Sequence, residues 1–281
     1  MTLDLTNEGT TQYVALPSGK VKYNVAGSGP AMVFLHGSGP GATGWSNFGP
    51  NIVDLAEHFT CYAPDMPGWG DSDPVEPARR DHVQTALEFL DALGIEKAAF
   101  VGNSMGGGTT IRFAILHPER MSHLITMGAG SSGVKIFGAG DGPSEGLKIL
   151  RKGYAQPSME TMLELVDVMS YDSGDQREFR AQQRLDSLLA HPEHAANFLE
   201  GVKIGIQGSS PSTEQEIAGI SAPALLIHGR DDRVVHYENS LRLVSLIQNS
   251  RLYLFNRCGH WAQVEHAQEF NRVVADFVAN N

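Results

Sequence analysis

The stretch that most restricts the fold is Ala98-Ala99-Phe100-Val101-Gly102-Asn103-Ser104-Met105-Gly106-Gly107. Phe100 and Val101 belong to a brief apolar run that breaks at Gly102, as a buried strand does. From Thr109 the apolar residues Ile111, Ala114 and Ile115 return at helical spacing. Ser104 therefore falls on a strand-to-helix turn. A turn this sharp drives the serine toward positive φ, and Gly102 and Gly106 are small enough to let strand and helix approach. The hydroxyl is presented rather than packed. The first N–H groups of the following helix, that of Met105 among them, lack intrahelical partners and lie at the positive end of the helix dipole, where an oxyanion would be stabilised. The same pattern also fits a plain Gly/Ser turn, so the remainder of the chain decides.

Around this turn, strand and helix patterns alternate. Residues 12–16 and 21–25 read as two strands joined at Pro17-Ser18-Gly19, a hairpin. Residues 31–35 are wholly apolar, as in a buried parallel strand, and lead into His36-Gly37-Ser38-Gly39-Pro40-Gly41. Glycines this dense let a backbone N–H approach a reacting oxygen, so the Ser38 N–H is the second expected oxyanion donor. His36 is expected to bond the loop rather than to act as a base. A helix over Trp45, Phe48, Ile52 and Leu55, a strand over 60–63, a Gly/Pro/Asp loop over 65–73 and a helix ending at Gly94 follow. After Ser104 come a helix to His117-Pro118 and a strand over 124–127. The sheet resumes at 224–228 and 252–255, and a last helix runs over Phe270, Val273, Val274 and Phe277. Eight strand patterns alternating with amphipathic helices predict an α/β fold, a mostly parallel eight-stranded sheet with helices on both faces.

The alternation fails between 133 and 213, where only helical patterns occur: Met162, Leu165, Val166 and Met169; Phe179 with Leu185, Leu188 and Leu189; Phe198, Leu199 and Val202. The expected organisation is a core of residues 1–132 and 214–281 with a helical lid, 133–213, inserted over the end of the sheet where Ser104 is exposed. Its Met and Leu stripes are expected to pack the lid.

Asp232 lies just past one late strand and His260 just past the next. In a parallel sheet those strand ends face the same way as the end that carries Ser104. Ser, Asp, His is the chain order of α/β-hydrolases. His260 would take a proton from Ser104 or from substrate, and Asp232 would hold its tautomer and stabilise the imidazolium. Asp231 competes for the acid role.

Several function classes are disfavoured. Lys+Arg 21 against Asp+Glu 32 gives a formal charge of -11, which opposes nucleic acid and anionic membranes, so a positive clamp for an anionic substrate must be local. The first eight residues lack a signal-peptide pattern, and no apolar run approaches a membrane span. Two cysteines in unrelated contexts, Cys61 and Cys258, suit the reducing cytoplasm and should be free and packed. No metal-ligand spacing and no phosphate loop occurs, so no metal and no cofactor are expected.

Taken together, His36-Gly37-Ser38-Gly39-Pro40-Gly41-Ala42 with Trp45-Ser46-Asn47, Gly102-Asn103-Ser104-Met105-Gly106-Gly107, Gly229-Arg230-Asp231-Asp232-Arg233 and Cys258-Gly259-His260-Trp261-Ala262-Gln263 resemble the meta-cleavage product hydrolases of the α/β-hydrolase fold. The likeness extends over nearly the whole chain. These enzymes hydrolyse carbon–carbon bonds of 2-hydroxy-6-oxohexa-2,4-dienoates in aromatic and steroid ring degradation. The resemblance implies catalysis by Ser104, Asp232 and His260, with an oxyanion hole at Ser38 and Met105. It favours Asp232 over Asp231, the family's acid standing third after the glycine. It places the carboxylate clamp at Arg184 and further substrate contacts at Gly37, Gly39, Asn47, Asn103 and Trp261. It implies a small anionic dienoate as the partner and a homo-oligomeric assembly. Two positions depart from the pattern: Ser38 replaces a common glycine, and His236 stands where a proline often follows the acid. A serine carboxylesterase and a ligand-sensing receptor of the same fold are the competing readings.

Overall fold

The computed structural model describes residues 5–130, 136–138, 142–206 and 212–281. A single turn, α1 (Asn7–Thr10), precedes the hairpin β1 (Thr11–Leu16) and β2 (Gly19–Ala26), which turns through Pro17 and Ser18 as its sequence predicts. Then follow β3 (Ala31–Leu35), α2 (Gly44–Leu55), β4 (Thr60–Pro64), α3 (His82–Ala92), β5 (Ala98–Asn103), α4 (Met105–Leu116) and β6 (Met121–Met127). After β6 come the helices α5 (Glu145–Ala155), α6 (Met159–Met169), α7 (Arg177–Ala190) and α8 (Pro192–Lys203). The chain closes with α9 (Glu214–Ala218), β7 (Ala224–Gly229), α10 (Glu238–Leu246), β8 (Ser250–Phe255), α11 (Ala262–Glu265) and α12 (Ala267–Ala279).

The eight strands form one sheet in the order β1-β2-β4-β3-β5-β6-β7-β8. β2 pairs antiparallel with β1 and β4, and every other pairing is parallel. Alternation along the central strands divides the core. Val33, Leu35, Phe100, Leu124 and Leu226 face α3, α4 and α10, while Met32, Phe34, Val101, Ile125 and Ile227 face α2 and α12. Both faces of the sheet are thus covered, which a strand apolar on both sides requires.

Among the described residues, no strand occurs between β6 and β7, in keeping with the helical patterns there. Met162, Leu165, Val166 and Met169 are buried against the core face that carries Phe100. One expected stripe turns out differently. Phe179 and Leu189 are 62% and 58% exposed, and the inward face of α7 is instead Ala181, Arg184 and Leu188, at i, i+3 and i+7. Arg184 is 4% exposed, so the inward face of this helix carries a cation among its apolar residues, at the position the resemblance names as the clamp. The first four residues and residue 133, where the insertion was expected to begin, lie outside the described residues.

Cys61 and Cys258 are free and buried. Among the described residues no helix is long and apolar enough to cross a membrane, and no His/Cys/Asp/Glu group is arranged to hold a metal.

Candidate active site

β5 ends at Asn103 and α4 begins at Met105, which leaves Ser104 alone in the corner at φ 53° and ψ −112°. A non-glycine residue in such a conformation costs about 1–3 kcal/mol, so its surroundings must hold it there. The Ser104 N–H donates to Met127 O at the end of β6 (2.9 Å), and its carbonyl accepts from Gly108 N–H (3.0 Å). A Cβ at position 102 would lie 2.4 Å from Gly106 O, and one at position 106 would lie 2.0 Å from Leu35 O. Strand and helix meet at this distance only because both residues are glycine.

Asp232 and His260, from the loops after β7 and β8, meet in a buried pair. His260 Nδ1 is 2.7 Å from Asp232 Oδ2, and Oδ1 accepts from the N–H groups of Val234 (2.7 Å) and Val235 (2.9 Å). Burial by itself would raise the Asp232 pKa. The adjacent His260, together with hydrogen bonding from His228 and His260, outweighs it and holds the carboxyl well below the usual carboxylate range. Asp231 points elsewhere, accepting from Cys258 N–H (3.4 Å), so direction separates the two aspartates. The departure at His236 leaves both backbone bonds to Asp232 in place.

Two neighbours of this pair escaped sequence reasoning. His228, fully buried at the end of the apolar run of β7, sets Nε2 3.2 Å from Asp232 Oδ2 and 2.7 Å from Val235 O, with Nδ1 2.7 Å from Ser240 Oγ. Facing two acceptors, Nε2 carries the proton, and Ser240 donates to Nδ1. A histidine closing an otherwise apolar strand was the available signal. Gly128, at φ +58°, leaves room for the imidazole, since a Cβ there would lie 2.7 Å from His260 Cε1. Asn103 is 1% exposed and ties the strand ends together, its Nδ2 donating to Met127 O and His260 O (both 3.3 Å). The residue before Ser104 is thereby joined to His260.

The loop after β3 closes the other side. A Cβ at Gly37 would lie 3.3 Å from Ser104 Cβ, so the loop backbone runs against the corner. His36 acts as the sequence implies: Met66 N–H donates to Nε2 (2.8 Å), which puts the proton on Nδ1, and Nδ1 donates to Gly37 O (2.8 Å). Burial pushes its pKa down to about 4 and keeps it neutral. Met105 opens α4, so its N–H is one that the helix leaves without an intrahelical acceptor.

Arg184 reaches this loop from α7. Its Nη1 donates to Pro40 O (3.2 Å), a Cβ at Gly39 would lie 3.1 Å from Nη1, and one at Gly41 would lie 1.9 Å from Arg184 O. Its guanidinium lies 4.5 Å from the Trp261 ring centroid, and among the described residues no carboxylate is within ion-pair distance. Burial pushes its pKa down to about 10, still charged at neutral pH. Asn47, 2% exposed with Nδ2 bonded to Thr43 O (3.0 Å), shares one small cavity with Arg180, Arg184 and Trp261.

Residues 32–273 match the alpha/beta hydrolase family. The chain is 39% identical over 287 residues to the 2-hydroxy-6-oxononadienedioate/2-hydroxy-6-oxononatrienedioate hydrolase 2 of Pseudomonas putida, covering 99% of each chain. It is 41% identical to the 2-hydroxy-6-oxo-6-phenylhexa-2,4-dienoate hydrolase of Comamonas testosteroni, covering 96% of this chain and 97% of that one. Its structure is similar to that of a meta-cleavage product hydrolase from Pseudomonas fluorescens IP01 in complex with acetates, with a TM-score of 0.84, 31% identity and coverage of 95% and 96%. It also resembles the 2-hydroxy-6-oxo-6-phenylhexa-2,4-dienoate hydrolase of Rhodococcus sp. strain RHA1, with a TM-score of 0.79, 29% identity and coverage of 95% and 99%. With a serine corner, a buried Asp–His pair and near-complete coverage of these relatives, the chain belongs to the meta-cleavage product hydrolases of the alpha/beta hydrolase family.

Proposed function

We propose that the protein hydrolyses the C5–C6 bond of a 2-hydroxy-6-oxohexa-2,4-dienoate, with Ser104, His260 and Asp232 as the catalytic residues and Arg184 as the carboxylate clamp. The observation that carries this reading is Arg184 itself, a buried guanidinium with no carboxylate beside it among the described residues. A cation taken out of water needs an anion or strong acceptors, and among the described residues its guanidinium donates to Pro40 O alone. The loop residues beside Ser104 and beside Arg184 are Gly37 and Gly39, two positions apart, a span of about 7 Å at most. That is the scale of a six-carbon conjugated chain with a carboxylate at one end and a ketone at the other.

In this reading Asn47 and Trp261 flank the carboxylate, and Gly37, Gly39 and Asn103 shape the wall near the reacting carbon. The dienol ketonises with His260 as the proton shuttle. Ser104 then engages the C6 carbonyl, whose oxyanion is held by the N–H groups of Ser38 and Met105. Water adds across the C5–C6 bond, hydroxyl to C6 and proton to C5, releasing a 2-hydroxypentadienoate and a carboxylic acid. Asp232, held ionised, supports the imidazolium formed on the way. Residues 133–213 form a lid over a core of 1–132 and 214–281. The buried free thiols support a cytoplasmic setting, and the open edge strand β8, with Leu254 40% exposed, supports self-association.

The conjugated dienolate absorbs visible light, which supplies the test. Purified protein should bleach alkyl- or aryl-substituted ring-fission products, with dienoate and acid identified as products, while Ser104→Ala should not. Absence of bleaching across the panel, with nitrophenyl ester hydrolysis intact, would overturn the reading in favour of a carboxylesterase.

A further inference from the structure

The glycines that let the 36–41 loop approach a reacting oxygen also leave it short of intrinsic stiffness. The orientation of the Ser38 N–H must come from what holds the peptides on either side of it. The Gly37 carbonyl, in the same peptide unit as that N–H, accepts from His36 Nδ1 (2.8 Å). The Ser38 carbonyl, in the next unit, accepts from the Tyr154 hydroxyl (2.9 Å). Both peptide planes flanking the Ser38 Cα are therefore fixed, one from the sheet and one from α5.

The Tyr154 hydroxyl has no freedom to do otherwise. Trp69 Nε1, which can only donate, is 2.7 Å from Tyr154 Oη, so the single phenolic proton is directed at Ser38 O. The ring is 2% exposed and stacks on Phe198 of α8, with centroids 3.9 Å apart and planes at 16°. Burial pushes the phenol pKa up, so the proton stays. Adjacent contacts lead the same way: a Cβ at Gly153 would lie 3.1 Å from Pro40 Cγ, and Arg184 Nη1 donates to Pro40 O.

We infer that Tyr154 is a positioning residue for the oxyanion hole: through the Trp69–Tyr154–Ser38 chain, the helical segment sets the direction of the Ser38 backbone donor. The inference rests on the reading of that N–H as an oxyanion donor. An oxyanion donor contributes only when aimed at the position the oxygen reaches in the transition state, and losing one outright costs about 10²–10³ in kcat. Misaiming one costs less, about tenfold.

Tyr154→Phe keeps the ring and its stacking and removes only the hydroxyl. For this variant kcat should fall about tenfold with KM within about twofold, on the dienoate and on a nitrophenyl ester alike. A trifluoromethyl ketone supplies the second readout. Ser104 Oγ adds to its carbonyl carbon, the proton passes to His260, and the resulting hemiketal oxyanion occupies the hole. Its affinity should fall in step with kcat. Dienoate binding measured in Ser104→Ala should not change when Tyr154→Phe is added. Trp69→Phe, which frees the Tyr154 hydroxyl to turn, should act in the same direction with a smaller loss, and it carries the test alone if Tyr154→Phe does not fold. Unchanged kcat and ketone affinity in the folded variants would overturn the inference, as would a raised KM with kcat intact, the signature of a packing role. A wild type that hydrolyses esters but not dienoates would defeat the C–C reading, while the ester and ketone measurements would still judge Tyr154.

Discussion

Ser104, Asp232 and His260 stand just past β5, β7 and β8, at the same end of the parallel part of the sheet, where the main chain alone places them. Arg184 and Tyr154 stand on α7 and α5 and arrive at the same site through long side chains, each ending on a carbonyl of one short loop. On the sheet side, position is set by parallel register, which fixes strand ends relative to one another whatever the side chains are. On the helical side it is set by reach. The proposed bond-making groups sit where geometry is rigid, and the proposed substrate-reading group sits where a change of helix face moves it.

The largest effect expected would break the sheet side alone. Asp232→Asn preserves shape but presents an amide to His260, and kcat should fall by about 10⁴ with KM little changed. A loss under tenfold in steady-state bleaching would mean that the pair at 2.7 Å is structural. A smaller effect should single out the helical side. Arg184→Ala should lower kcat/KM for the dienoate by roughly 10², the scale of one buried charge-assisted contact, and change a carboxylate-free ester only a few-fold. Equal losses on both substrates would show that Arg184 chiefly supports the loop.

The smallest effect concerns the ground beneath both sides. Burial pushes His36 down to about 4 and His82 down to about 3, so their contribution to stability is complete above about pH 6.5 and is lost as pH falls toward those values. Asp65 has the opposite sign. Burial raises it to about 6, and its contribution is present at low pH and lost as pH rises through that value. Between about pH 6 and about pH 4, two histidines bind protons only on unfolding and one carboxyl binds a proton only when folded. Taken alone, these three groups leave one more proton bound in the unfolded chain, and unfolding free energy should fall as pH drops across that interval. Urea midpoints across that interval measure it, and a flat profile would remove these groups from the account.

The contrast between the two sides also explains what was legible. The run Ala31-Met32-Val33-Phe34-Leu35 specifies a buried strand by itself, and Gly102 and Gly106 specify a close strand–helix corner by theirs. Local signals of this kind recover the eight strands and the places of Ser104, Asp232 and His260 along them. Tyr154 and Ser38 are 116 residues apart, and Trp69 and Tyr154 are 85 apart, so no periodicity announces either bond. Periodicity even misleads on α7, where Phe179 and Leu189 suggest an apolar face that the fold turns to solvent. Arg184 was reached by resemblance to a family, and its burial appears only once the helix is placed.

At Gly41 the loop backbone lies so close to the Arg184 carbonyl that a single methyl group would stand 1.9 Å from it. The two segments are 143 positions apart in the chain, yet neither surface can be recast without the other. Anyone grafting a foreign helical segment onto this sheet to broaden its diet must therefore transplant positions 36–42 with it. In recombination, as in inheritance, the exchangeable cassette is discontinuous.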